Sequence, residues 1–159
     1  MDDLDAFVAG LDYPMFVVTA TAGGERSGCL VGFATQCSID PFRLLVCLSK
    51  NNHTYRVAES APVLAVHRLD ARQEDLAALF GGSTGDDVDK FAHCAWRPGP
   101  HGVPLLTDCP AWVVGDVLTR VDLGDHVGFH LAPTEVTATP DGQPLSFAQV
   151  RHLTPGHPA

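Results

Sequence analysis

Apolar, β-branched runs only a few residues long, cut apart by glycine and proline, set the tightest limit on what this chain can fold into. Met15-Phe16-Val17-Val18-Thr19-Ala20-Thr21 is the first, rich in side chains that fit a pleated surface. Gly23-Gly24 follows as a hairpin turn, because glycine reaches positive φ without steric cost. A second run extends from Ser27 to about Gln36, and Asp40-Pro41 breaks the chain. Leu44-Leu45-Val46-Cys47-Leu48 is apolar throughout and reads as a buried strand. Val63 to His67, Ala111 to Leu118 and His126 to Val136 continue the series. Helical spacing is confined to short stretches. Leu4, Phe7, Val8 and Leu11 outline an amphipathic amino-terminal helix. A second helix is expected from near Asn52 to before Pro62, and a third from Gln73 to Phe80, stopping at Gly81-Gly82. Strand and helix do not alternate as a parallel sheet requires. The expected class is therefore mainly β (α+β), a barrel with a few short helices.

At 159 residues, the chain is long enough for one domain with its own core, and a single domain over 1–159 is the expectation. The formal net charge of −9, with no cluster of Lys or Arg, gives neither nucleic acid nor an anionic membrane an electrostatic footprint. The acidic start Met1-Asp2-Asp3-Leu4-Asp5 is unlike a signal peptide, and no apolar run reaches the roughly 20 residues that span a bilayer. A cytoplasmic location follows as an expectation. Five cysteines, an odd number without a CxxC pair, agree with buried thiols in a reducing compartment.

Motifs exclude more than they assert. GxGxxG, GxxxxGK[ST] and HExxH are all missing, which removes Rossmann, P-loop and zincin readings. His126 and His130, four apart without a nearby ligating partner, are a weak metal signal, and no metal is expected. Two segments stand out instead. In Gly28 to Pro41, Gly32 and Ala34 leave room for something flat against the backbone, while Thr35, Gln36 and Ser38 offer polar atoms. In Ser49-Lys50-Asn51-Asn52-His53-Thr54, a helix start presents unpaired N–H groups beside one cation, an arrangement suited to a phosphate or simply to capping. The polar, acidic loop from Gly81 to Asp89 is long enough to be functional.

Taken together, these segments resemble the flavin reductase-like family, whose fold is an FMN-binding split β-barrel. The likeness runs from about Tyr13 to the carboxyl terminus. Its landmarks are Pro14 with Val17-Val18-Thr19, Gly28, Ser38-Ile39-Asp40-Pro41, Leu48-Ser49-Lys50 with Thr54, Phe80, Lys90-Phe91, Asp125-His126 and Pro144-Leu145-Ser146-Phe147. The resemblance implies that Gly32, Phe33, Ala34, Thr35, Gln36, Cys37 and Ser38 line the isoalloxazine edge and ribityl chain. It places Ser49, Lys50, Asn52, His53 and Thr54 around the phosphate, and Phe80, Lys90 and Phe91 near the ring. His126 resembles the family histidine beside the flavin and the incoming nicotinamide, the catalytic candidate. The chain departs from the family where Gly32, Phe33 and Gln36 replace the usual serine or threonine, where Phe42 replaces a second proline, and at Ala132-Pro133.

What the resemblance implies is an NAD(P)H-dependent flavin reductase, with NADH or NADPH giving hydride to FMN. Its implied assembly is a homodimer with flavin near the subunit interface, and its implied partner is an oxygenase that takes reduced flavin. A module of the same fold that binds FMN, deazaflavin or haem without reductase activity is the rival.

Overall fold

The computed structural model describes residues 2–82, 89–140 and 142–153. Strand β1, Phe16–Ala22, turns at Gly23-Gly24 (φ 59° and 79°) into β2, Glu25–Val31, in the expected hairpin. β3, Ala34–Ile39, and β4, Phe42–Ser49, form a second hairpin. β5 is Val63–Arg68, β6 Trp96–Pro98, β7 Pro104–Leu106, β8 Ala111–Asp122 and β9 His126–Thr137. Seven of these build one antiparallel sheet in the order β2-β1-β5-β8-β9-β4-β3, and β6 pairs with β7 as a separate ribbon. Helices α1, Asp3–Ala9, α2, His53–Ala58, α3, Glu74–Gly81, and α4, Phe147–Val150, are all short. Mainly β with short helices is the architecture the run lengths foretold.

One core forms where the sheet curls over itself. Val18 and Ala20 of β1, Cys29 and Val31 of β2, Leu44, Val46 and Leu48 of β4, Leu64 and Val66 of β5, and Phe129 and Leu131 of β9 pack in a single cluster closed by Val57 and Ala58 of α2. Val63 and Ala65 point the other way, against Val103, Leu105 and Val114, so β5 is covered on both faces. His67 fastens the ribbon to the sheet. Fully buried, its Nδ1 lies 2.9 Å from the Val17 carbonyl, and its Nε2 accepts from Leu106 N–H at 3.0 Å.

Four expectations are corrected here. The run from Ser27 to Gln36 is two strands, broken at Gly32-Phe33. A Cβ on Gly32 would collide with Cε2 of Tyr13, so the chain passes under that ring and leaves β1 for β4. β4 is buried on one face only: Leu44, Val46 and Leu48 face the core while Arg43, Leu45 and Cys47 are half-exposed. α1 buries none of its residues, and Leu4, Phe7 and Val8 stay exposed. It is held as a helix by its start, where Asp2 accepts from Asp5 N–H at 2.7 Å in a reciprocal capping box. Nor are all the thiols buried. All five are free, but Cys37 is exposed on β3.

Candidate active site

A cavity of about 490 Å³ opens beside the β2–β3 break, within the range of small-molecule sites. Cys29, Leu30 and Val31 of β2, with Leu48 of β4, give it an apolar back wall. Ser49 and Asn52 add polar atoms to the lining. Phe80 and Gly81 close α3 over it, with Lys90 beneath. The rim is aromatic: Phe147 stacks on Tyr13 at 4.9 Å, Tyr13 lies 6.1 Å from Phe33, and Phe33 lies 5.2 Å from the His126 ring.

Register explains why distant segments meet here. Across the β4–β9 ladder Ser49 pairs with His126. Lys50 N–H donates to the Asp125 carbonyl at 2.9 Å, which docks the β8–β9 turn on the segment before α2. The His126 Nδ1 lies 2.7 Å from Asp125 Oδ1, so that nitrogen carries the proton and the ring is oriented by the carboxylate. That bond holds the Asp125 carboxyl below its ordinary range.

Lys90 is a structural cation. Only 5% exposed, it donates from Nζ to the Phe80 carbonyl at 2.9 Å and the Gly28 carbonyl at 3.1 Å, joining α3 to β2. Desolvation lowers its pKa. Lys90→Met removes both of these bonds and is expected to cost about 2 kcal/mol, read as a lower urea midpoint. An unchanged midpoint would refute this assignment. Gly28 makes the same junction tight, since a Cβ there would sit 2.8 Å from Cε1 of Phe80.

Comparison with known proteins decides the family. The flavin reductase like domain model matches residues 8–156. The chain belongs to this family. It is 33% identical over 110 residues to the FMN reductase (NADH) of Bradyrhizobium diazoefficiens, covering 69% of this chain and 61% of that protein. With the stachydrine N-demethylase reductase subunit of Rhizobium meliloti it shares 31% identity over 114 residues, 69% of this chain and 48% of that one. It thus spans little more than half the length of these curated relatives. The NADH:FAD oxidoreductase of Streptomyces globisporus superposes with a TM-score of 0.81 at 26% identity, covering 92% of this chain and 90% of that structure.

Of the residues expected at the flavin, this flavin reductase-like domain gathers Gly32, Phe33, Ser49, Asn52, Phe80, Lys90 and His126 around one cavity. Others lie elsewhere. Ala34, Thr35, Gln36, Cys37 and Ser38 run along β3, away from the cavity lining. There Thr35 Oγ1 donates to the Gln36 carbonyl, Gln36 Nε2 to the Ser38 carbonyl, and Ala34 N–H to Gly32. Lys50 Nζ is 2.9 Å from Asp122 Oδ1 at the surface. His53 Nε2 is 2.6 Å from Glu25 Oε1, with Arg56 3.1 Å from its other nitrogen. Thr54 is fully buried, its hydroxyl 2.8 Å from that of Ser27, and Asn52 Oδ1 accepts its N–H as the cap of α2. Thr54 and Asn52 also bond the Cys29 thiol, which burial pushes up to about 11. Phe91 is buried behind Phe80, edge-on at 5.7 Å. Residues 83–88 of the acidic loop lie outside the described residues.

Sequence reasoning missed Tyr13, Cys29, Cys47 and Phe147 as cavity residues. The signal existed for two of them. Pro144 to Phe147 is a family landmark, and its partner is the segment around Tyr13: Met15 N–H donates to the Leu145 carbonyl and Phe147 N–H to the Tyr13 carbonyl, both at 2.8 Å.

Proposed function

We propose that this domain binds FMN and reduces it with NADH or NADPH. The observation that carries the reading is the convergence on one cavity of Gly32-Phe33, Ser49 with Asn52, Phe80, Lys90 and His126, from five separate parts of the chain. A largely apolar lining with a few polar side chains, Ser49, Asn52 and His126 among them, fits a molecule with a flat ring and a polar tail. Bound FMN would supply the redox chemistry, taking a hydride from the nicotinamide donor together with one proton. The chain's contribution is to bind and orient. Leu30, Val31 and Leu48 keep the lining apolar, Ser49 and Asn52 hold the polar tail, and His126 with Asp125 positions the donor. Steady-state oxidation of NADH and NADPH with added FMN tests the reading. A folded protein that binds FMN yet oxidises neither nucleotide is a binding module instead.

FMN is expected to bind on the order of tenfold more tightly than riboflavin, since charge-assisted contacts to one phosphate are worth at least about 1.4 kcal/mol. Fluorescence quenching titrations decide this, and equal affinities would remove the phosphate role of Ser49 to Thr54. The domain acts as a homodimer, supported by the exposed Phe7 and Ile39 and by the open edge of β3. Light scattering at the mass of a single chain with FMN bound would reject that. An oxygenase that consumes reduced flavin is the proposed partner, supported by the kinship with a demethylase reductase subunit. Among the described residues no helix is long and apolar enough to cross a membrane.

A further inference from the structure

Phe33 occupies the short link between β2 and β3, and its backbone is pinned. Its carbonyl accepts from Cys47 N–H at 2.8 Å, and the Gly32 carbonyl accepts from Ala34 N–H at 3.0 Å. Its side chain is nevertheless 54% exposed. One exposed ring is ordinary; its surroundings are what matter. Phe33 is tilted 60° against Tyr13 and 50° against His126, and Tyr13 is stacked on Phe147, so rings from four separate chain segments form a row along the cavity mouth. Aromatic neighbours prefer tilted or offset faces 4.5–7 Å apart, and a flat ring entering this mouth meets such faces on arrival.

We propose that Phe33 is a positioning residue for the electron donor, its ring face taking the nicotinamide of NADH or NADPH and holding it beside His126 over the flavin. The inference rests on the reductase reading and adds to it a determinant of donor binding. A phenyl ring offers no hydrogen bond. It therefore selects by flatness and excludes water from the reacting face, as a dry site favours. The dihydronicotinamide ring, uncharged and planar, suits that surface. Phe33 itself would form and break no bond in the hydride transfer that bound FMN supplies.

The test uses the FMN-loaded protein with Phe33→Leu, which keeps apolar bulk without a ring, and Phe33→Tyr, which keeps the ring. The probe is tetrahydro-NADH, a donor analogue that cannot release hydride, titrated by its perturbation of the flavin absorbance. Phe33→Leu is expected to weaken the analogue and raise KM for NADH on the order of tenfold, with kcat and FMN affinity both moving less; Phe33→Tyr stays near wild type. The assignment is overturned if wild type does not bind the analogue or if Phe33→Leu binds it normally. It is equally overturned if Phe33→Leu loses FMN in parallel, which makes Phe33 a flavin contact, or alters subunit stoichiometry, which makes it an interface residue. Ring-dependent binding of the analogue by a protein that oxidises no NADH would overturn the reductase reading and leave the assignment of Phe33 standing.

Discussion

His126→Ala is expected to slow reduction of bound flavin by NADH on the order of 10- to 1,000-fold, with FMN affinity and melting temperature close to wild type. The ring lies at the cavity rim, with its Nδ1 committed to Asp125 and its face near Phe33. It is therefore oriented before a donor arrives, and its other nitrogen points away from the carboxylate that holds it. Little stability is at stake, because its polar contact is with a largely exposed carboxylate, and such surface contacts contribute at most about 1 kcal/mol. Asp125→Asn keeps the ring but weakens its orientation, so a smaller loss in the same direction is expected. Stopped-flow reduction beside a melting curve separates chemistry from folding. A stably folded His126→Ala that is reduced at the wild-type rate by both nucleotides takes the residue out of the mechanism. A variant that melts early and loses FMN would make it a structural residue instead.

How much of this was legible depended on whether local pattern or long-range pairing set each feature. The β1–β2 hairpin was readable because Gly23-Gly24 carries its own turn geometry between two β-branched runs. α1 was readable as a helix but not as an exposed one, since spacing reports periodicity and not what waits to cover it. The break at Gly32-Phe33 was hidden because its cause, the Tyr13 ring, lies far off in sequence. For the site, polar type misled. Thr54 carries a phosphate-binding side chain by residue type, yet its hydroxyl turns inward to Ser27. Lys90 does line the cavity, as expected near the ring, but its ammonium is committed to two backbone carbonyls. The aromatic rim joins the two ends of the chain, and no local window contains it.

Acid should unfold this protein through His67, which gave no functional signal in the sequence. Both ring nitrogens are engaged inside the core, with the Val17 carbonyl at Nδ1 and the Leu106 N–H at Nε2. Only the neutral ring, protonated at Nδ1, satisfies both, because a second proton would set a donor against the Leu106 N–H. Burial accordingly lowers its pKa to about 4 from an ordinary 6.5, outweighing the opposite pull of the Val17 carbonyl. The unfolded chain thus binds the proton more readily than the folded one. Stability from this group is complete above about pH 6.5 and drains away as the pH falls toward about 4. The full loss is about 3 kcal/mol, at about 1.4 kcal/mol for each unit between the two values. Urea unfolding near pH 7 and again near pH 4 measures it, but carboxylates and other histidines titrate over the same window. His67→Leu isolates the contribution. The variant starts less stable, because it abandons the Val17 carbonyl and the Leu106 N–H, yet it should lose about 3 kcal/mol less than wild type between the two conditions. Equal losses in the two proteins would mean that His67 is already charged, or already exposed, in the folded state. The β6–β7 ribbon would then need some tether other than this ring.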